Sequence, residues 1–152
     1  MIYGDICSIS DIVCTIRESG KKAIVHVDLI QGLSSKEISV DFIRKYTDAD
    51  GIISMKPSLI KRAQQLDLFA IQRFYTIDAL TYANVVNHVK NCDPDVVELM
   101  PAGLTKVIQY LRQEINKPLM ASGLILDKDD VIGALKAGAI AVSTTNRALW
   151  EC

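Results

Sequence analysis

The chain has 152 residues, 49% of them hydrophobic and 23% charged, with a formal net charge of −1. That composition excludes a disordered or fibrous chain, and the length is enough for one domain with its own hydrophobic core. The near-neutral charge excludes the footprint of a strong, non-specific nucleic-acid binder, while leaving room for a local basic patch.

No apolar run approaches the ~18 residues needed to span a bilayer. The start, Met1-Ile2-Tyr3-Gly4-Asp5, has neither a basic n-region nor a long apolar h-region, so no secretory signal is expected. Cys7 and Cys14 are seven apart and would share a face on a helix; Cys92 and Cys152 are remote. No Cys-x-x-Cys pair occurs, and His26 and His88 do not fall at zinc-finger spacing. The expectation is reduced thiols in a cytoplasmic protein, with no structural metal and no cofactor.

Short apolar runs then alternate with amphipathic stretches. A weak strand is read at Ile2-Tyr3-Gly4 and a clear one over residues 22–28 (KAIVHVD). Ser34-Ser35-Lys36-Glu37 reads as a capping box opening a helix in which Ile38, Phe42, Ile43 and Tyr46 share a face. Residues 51–54 form a buried strand, and Pro57 suits the first turn of a helix reaching Leu66. Residues 69–74 are the next strand, followed by a helix over 79–90 capped by Asp78. A strand at 96–99, a helix over 104–115 and a strand at 118–122 come next. Asp127 caps a helix ending at Ala137, with Gly138 as its C′ residue. The last strand is 139–143, and Asn146 caps a short helix containing Trp150.

The strands are continuous apolar runs, the mark of a parallel sheet covered by helices. There is no linker or low-complexity tract. The expectation is a single domain over 1–152, an α/β repeat that is either a (β/α) barrel or an open doubly wound sheet, with six good strands and one weak one.

In both architectures ligands bind at the carboxyl ends of the strands. The polar residues there are Asp5, Asp28, Lys56, Arg73, Glu98, Ser122 with Gly123, and Ser143, Thr144, Thr145 and Asn146. Single residues of this kind are equally well read as salt bridges that satisfy a barrel mouth; the group on one rim points to a site. Two successive small-residue strand ends, 122–124 and 143–146, offer backbone N–H groups, hydroxyls and a helix N-terminus, which predicts a phosphate-type anion there. His26, two residues before Asp28 on one strand face, is read as a core histidine ahead of a base. No Walker or Gly-x-Gly-x-x-Gly loop is present.

Residues 25–33 (VHVDLIQGL), 49–57 (ADGIISMKP), 72–74 (QRF) and 136–145 (KAGAIAVSTT) resemble the glycerol-3-phosphate-responsive antiterminator family of bacteria over essentially the whole chain. The resemblance implies a TIM-barrel-like domain that senses glycerol-3-phosphate, binds leader mRNA and prevents premature termination in glycerol metabolism genes. It implies a phosphate at Gly123, Ser143, Thr144 and Thr145, with Asp28, Lys56, Arg73 and Glu98 lining the rest of the pocket. Members of that family usually carry one more strand and helix before the segment at residues 2–5. A late start codon, a truncation, and closure by a second copy as a homodimer are three readings of that difference.

Two functions therefore stand beside a blander third, a scaffold that binds a metabolite without RNA. One is the regulator, with Arg17, Lys21, Lys22, Arg44, Lys45, Lys61 and Arg62 as basic positions that read equally as a solvated helix surface. The other is a sugar-phosphate or glycerophosphate enzyme of isomerase or aldolase type, with Lys56 forming a Schiff base and Glu98 or Asp28 as general base.

Overall fold

The apolar runs fold as strands and the amphipathic stretches as the helices between them. The computed structural model describes residues 4–150. The order is α1 (Ile9–Glu18), β1 (Ile24–His26), α2 (Ile38–Tyr46), β2 (Gly51–Ser54), α3 (Pro57–Gln65), β3 (Phe69–Tyr75), α4 (Ala79–Cys92), β4 (Val96–Met100), α5 (Thr105–Glu114), β5 (Leu119–Ser122), α6 (Lys128–Lys136) and β6 (Ala141–Ser143). The six strands are parallel and run in sequence order in one sheet, a TIM-barrel-like α/β fold. The weak strand read at Ile2-Tyr3-Gly4 lies, except for Gly4, outside the described residues; beside it, Asp5 forms an isolated parallel bridge to Gln31.

The chain divides into two compact units, one up to Gln72 and one from Arg73 onward, each with its own core. In the first, Val25, Ile52 and Ala70 point to the helices and pack with Val13, Ile43 and Leu59. Side chains alternate across a strand, so His26, Ile53 and Ile71, paired in register, face the other way and are also buried. In the second, Val97, Leu99, Leu119 and Ala121 join the helix-facing core with Ile108 and Leu111. Their alternates, Glu98 and Ser122, take the opposite face.

Local chemistry explains most element ends. Pro57 sits at the start of α3, where its missing N–H costs nothing. Asp78 caps α4 by accepting from the Thr81 N–H, while the Thr81 hydroxyl accepts from the Asp78 N–H. The Thr81 N–H, and then the Thr81 hydroxyl donating to the same Oδ1, hold the Asp78 carboxyl below its ordinary pKa. Gly138 comes after α6 at φ 109°, which an L side chain rarely adopts.

Four expectations need correction. The strand read over residues 22–28 is only three residues long, because Val27–Leu29 turn into a 3-10 helix. No capping box forms at Ser34-Ser35-Lys36-Glu37: Glu37 is already in helical conformation, and the Ser34 carbonyl accepts from the Ser39 hydroxyl at 2.6 Å. The buried stripe of α2 is Ser39, Val40 and Ile43, while Ile38 and Tyr46 are exposed. Cys7 lies in the turn before α1, so it does not share a helix face with Cys14; Cys7, Cys14 and Cys92 are free thiols.

Candidate functional site

In the first unit, the 3-10 turn after β1 carries Asp28 to the carboxyl end of the sheet. Its Oδ1 accepts from the Ser54 hydroxyl at 3.1 Å and its Oδ2 from the Met55 N–H at 2.9 Å. The Ser54 hydroxyl oxygen in turn accepts from the Lys56 N–H at 3.0 Å. His26 Nδ1 stands 3.9 Å from Asp28 Oδ2. Asp28 thus ties β1 to the β2–α3 turn and holds the backbone of Lys56, the residue that opens α3. The Lys56 side chain is half-buried. An Asp28→Ala protein is expected to lose about 1–3 kcal/mol, the cost of stranding hydrogen-bonding groups in a nearly buried place. Urea denaturation measures this, and an unchanged midpoint would show that the turn stands without the carboxylate.

In the second unit, the first residue after the division is Arg73. Its Nε donates to Glu98 Oε2 at 2.5 Å, joining β3 to β4. Arg73 is 8% exposed and Glu98 0%. A charge pair so far from water is held by its own geometry, since each partner alone is expensive to desolvate. Glu98 Oε1 is buried and has no hydrogen-bond partner; the same is true of Ser122 Oγ at the end of β5. Buried polar atoms are nearly always paired, so two such atoms on one face of neighbouring strands mark room for a further hydrogen-bonding group.

The loop after β5 adopts left-handed backbone at Gly123 (φ 73°) and at Leu124 (φ 55°). A left-handed leucine is a strained conformation of the kind that collects at binding loops. The Gly123 carbonyl accepts from the Ala102 N–H at 3.1 Å, tying this loop to the segment after β4. After β6, the Thr144 hydroxyl oxygen accepts from the Asn146 N–H at 3.1 Å, and the Asn146 side chain accepts from the Ala148 N–H at 3.2 Å. Ser143 pairs in register with Ser122. The structure therefore brings Gly123, Ser143 and Thr144 onto neighbouring strand ends, with Thr145 beyond them exposed.

The expected helix dipole is not available at either loop. The N-terminus of α6 is capped by Asp127, which accepts from the Asp130 N–H at 3.0 Å, and Asp129 and Asp130 fill its first turn. After Asn146 the chain makes a single 3-10 turn, Arg147–Leu149, too short to carry a macrodipole. An anion at these loops is left with backbone N–H groups and hydroxyls. A cleft of about 540 Å³ also reaches Ser143 and Thr144, but Val131, Leu135, Val142, Leu149 and Trp150 make it apolar and no basic residue lines it.

One buried polar residue was not singled out from the sequence. Gln72 is 0% exposed, and neither its amide oxygen nor its nitrogen has a partner. A glutamine directly following the apolar run Phe69-Ala70-Ile71 of β3 is the signal that marks it.

The chain matches the family model described as glycerol-3-phosphate responsive antiterminator over residues 1–150. It belongs to that family. An Escherichia coli (strain K12) relative, the uncharacterized protein YgcP, is 41% identical over 150 residues, which is 99% of this chain and 78% of that protein. The crystal structure of the glycerol uptake operon antiterminator regulatory protein of Listeria monocytogenes superposes with a TM-score of 0.93 at 34% identity, covering 97% of this chain and 80% of the other. A glycerol uptake operon antiterminator-related protein of Thermotoga maritima gives 0.89 at 28% identity, covering 100% and 86%. More distant solved structures, at 17% identity or lower, include TIM-barrel enzymes and share the fold alone.

Among the described residues no helix is long and apolar enough to cross a membrane. Of the basic positions on the first unit, Lys22 bonds Asp50 at 2.8 Å, Arg62 bonds Asp41, and Arg17 donates to the Asp48 carbonyl at 2.6 Å. Lys21, Arg44, Lys45 and Lys61 are exposed.

Proposed function

We propose that this protein is a cytoplasmic antiterminator regulator of glycerol metabolism genes that binds glycerol-3-phosphate and, in response, leader mRNA. Membership of a glycerol-3-phosphate-responsive family over residues 1–150 is the observation that carries the reading. The ligand phosphate is placed at Gly123, Ser143, Thr144 and Thr145, with Ser122 Oγ as an added donor and Arg73 and Glu98 serving the rest of the molecule. Asp28 and Lys56 remain candidates at the strand ends of the first unit. No cofactor is required for such a switch: differential affinity of ligand for two states suffices. The exposed lysines and Arg44 are the first positions to test for RNA.

Titration calorimetry with glycerol-3-phosphate, followed by a leader-RNA gel shift with and without it, tests this reading. No heat of binding removes the sensor. Binding without a ligand-dependent shift favours the enzyme, and borohydride trapping on Lys56 would then support a Schiff base. Thr144→Asp is expected to weaken glycerol-3-phosphate by about 1–3 kcal/mol, because it sets a carboxylate beside the phosphate. Unchanged affinity would place the phosphate elsewhere.

A further inference from the structure

The second unit holds a buried carboxylate whose two oxygens have different fates. Glu98 Oε2 takes a hydrogen bond from Arg73 Nε, while Oε1 has neither a partner nor surface. Leaving an acceptor buried and unpaired costs as much as a lost hydrogen bond to a charged group. A carboxylate oxygen is acceptor-only, so what it lacks is a donor such as O–H.

Register sets the position of this oxygen relative to the phosphate loops. Glu98 pairs with Met120, and Leu99 with Ala121. Leu99 and Ala121 both enter the helix-facing core, so Glu98 and Ser122 share the opposite face. They stand one strand apart and two residues along, a Cα separation on the order of 8 Å from strand spacing and rise. Ser122 Oγ, 3% exposed and also unpartnered, stands at the phosphate end of that span. One face thus offers a donor beside the anion loops and, a few ångströms deeper, an acceptor for a hydroxyl.

We propose that Glu98 is the specificity-determining residue of this site and reads a hydroxyl of a short polyol phosphate through Oε1, while Ser122 and the strand-end loops hold the phosphate. The inference rests on the glycerol-3-phosphate reading and deepens it. Arg73 links the two ends: a guanidinium carries five N–H donors and only Nε is spent on Glu98 Oε2, so the phosphate draws on the others. With the guanidinium held by the phosphate and by Oε2, Oε1 is the oxygen left for the incoming hydroxyl. An unphosphorylated polyol lacks the hold on Arg73, and a phosphate without hydroxyls leaves Oε1 unpaired.

The test is titration calorimetry of the full chain with glycerol-3-phosphate and with n-propyl phosphate, which keeps the length and the anion and lacks both hydroxyls. Glycerol-3-phosphate is expected to bind at least ~10-fold more tightly, the weight of a hydrogen bond to a charged group. Glu98→Gln turns its amide oxygen to Arg73 and presents no carboxylate to the ligand. Glu98→Asp keeps the charge for Arg73 but draws the acceptor back by one methylene, so it serves if the glutamine variant does not fold. In either folded variant the ratio of the two affinities is expected to shrink several-fold, whatever happens to phosphate binding common to both ligands. Equal affinity of the wild type for the two phosphates overturns the hydroxyl reading and leaves the phosphate site standing. A preference that survives in both variants overturns the role of Glu98. Binding of neither phosphate overturns this inference together with the sensor reading.

Discussion

Replacing Arg73 by methionine is expected to cost about 3–5 kcal/mol of folding stability, because it strands a buried charge. Glu98 is 0% exposed and Arg73 8%, so water does not replace the lost partner. Arg73→Met/Glu98→Leu is expected to recover most of that loss, since an apolar pair of similar volume removes both desolvation penalties together. Guanidinium denaturation of the wild type, of Arg73→Met, of Glu98→Leu and of the double variant closes the cycle. An Arg73→Met variant as stable as the wild type would show that water reaches the Glu98 carboxyl. The double variant also separates stability from recognition: it should fold, yet bind glycerol-3-phosphate no better than n-propyl phosphate.

The cost of keeping such a pair is informative about why it is there. A buried ion pair is weak evidence for stability. Here one oxygen of the pair is unsatisfied as well, which subtracts from stability further. A chain under selection for stability alone gains from an apolar pair at positions 73 and 98 together. The arrangement makes sense as a site held ready for a ligand, with its unpaired acceptor restored to a partner on binding.

Much of the fold was legible because its signals are local. The strands at 51–54, 69–74 and 118–122 are apolar runs bounded by turn residues, and they stand almost where expected. Asp78 and Asp127 cap the helices they were expected to cap, through their own carboxylates. Errors arose where a tertiary partner outcompeted a local pattern. Ser34 has the spacing for a capping box, but its carbonyl is taken by Ser39, and the helix buries Ser39 and Val40 instead of Ile38. The site shows the same division. Arg73 and Glu98 could be picked out as charges ending apolar strands, but not as each other's partner, since 25 residues separate them in sequence. The two loops proposed to hold the anion were visible as small-residue strand ends. The lack of a usable helix dipole after β6 was not, because it depends on the segment after Asn146 forming one 3-10 turn.

Gly51→Ala is expected to be among the most damaging single-methyl additions in the chain, costing about 3 kcal/mol or more as an overpacked core site. Gly51 has no unusual backbone conformation, so the cost is steric and not conformational. A Cβ there would stand 2.2 Å from the Phe69 carbonyl oxygen and 2.7 Å from the Phe69 Cβ. Gly51 and Phe69 are register partners at the start of the β2–β3 ladder, and a backbone carbonyl cannot swing aside as a side-chain tip can. The strands must part, and the displacement runs three residues along β2 to Ser54, which holds Asp28 and the Lys56 N–H. The variant should therefore melt early and also loosen the strand-end turn of the first unit, read as faster amide exchange at Met55 and Lys56. Gly103→Ala is the control, since a Cβ there meets nothing within 4 Å, and its melting temperature should match the wild type. Equal melting of Gly51→Ala and wild type would mean that the β2–β3 spacing gives way at little cost, and with it the argument that this glycine sets the register beneath Asp28.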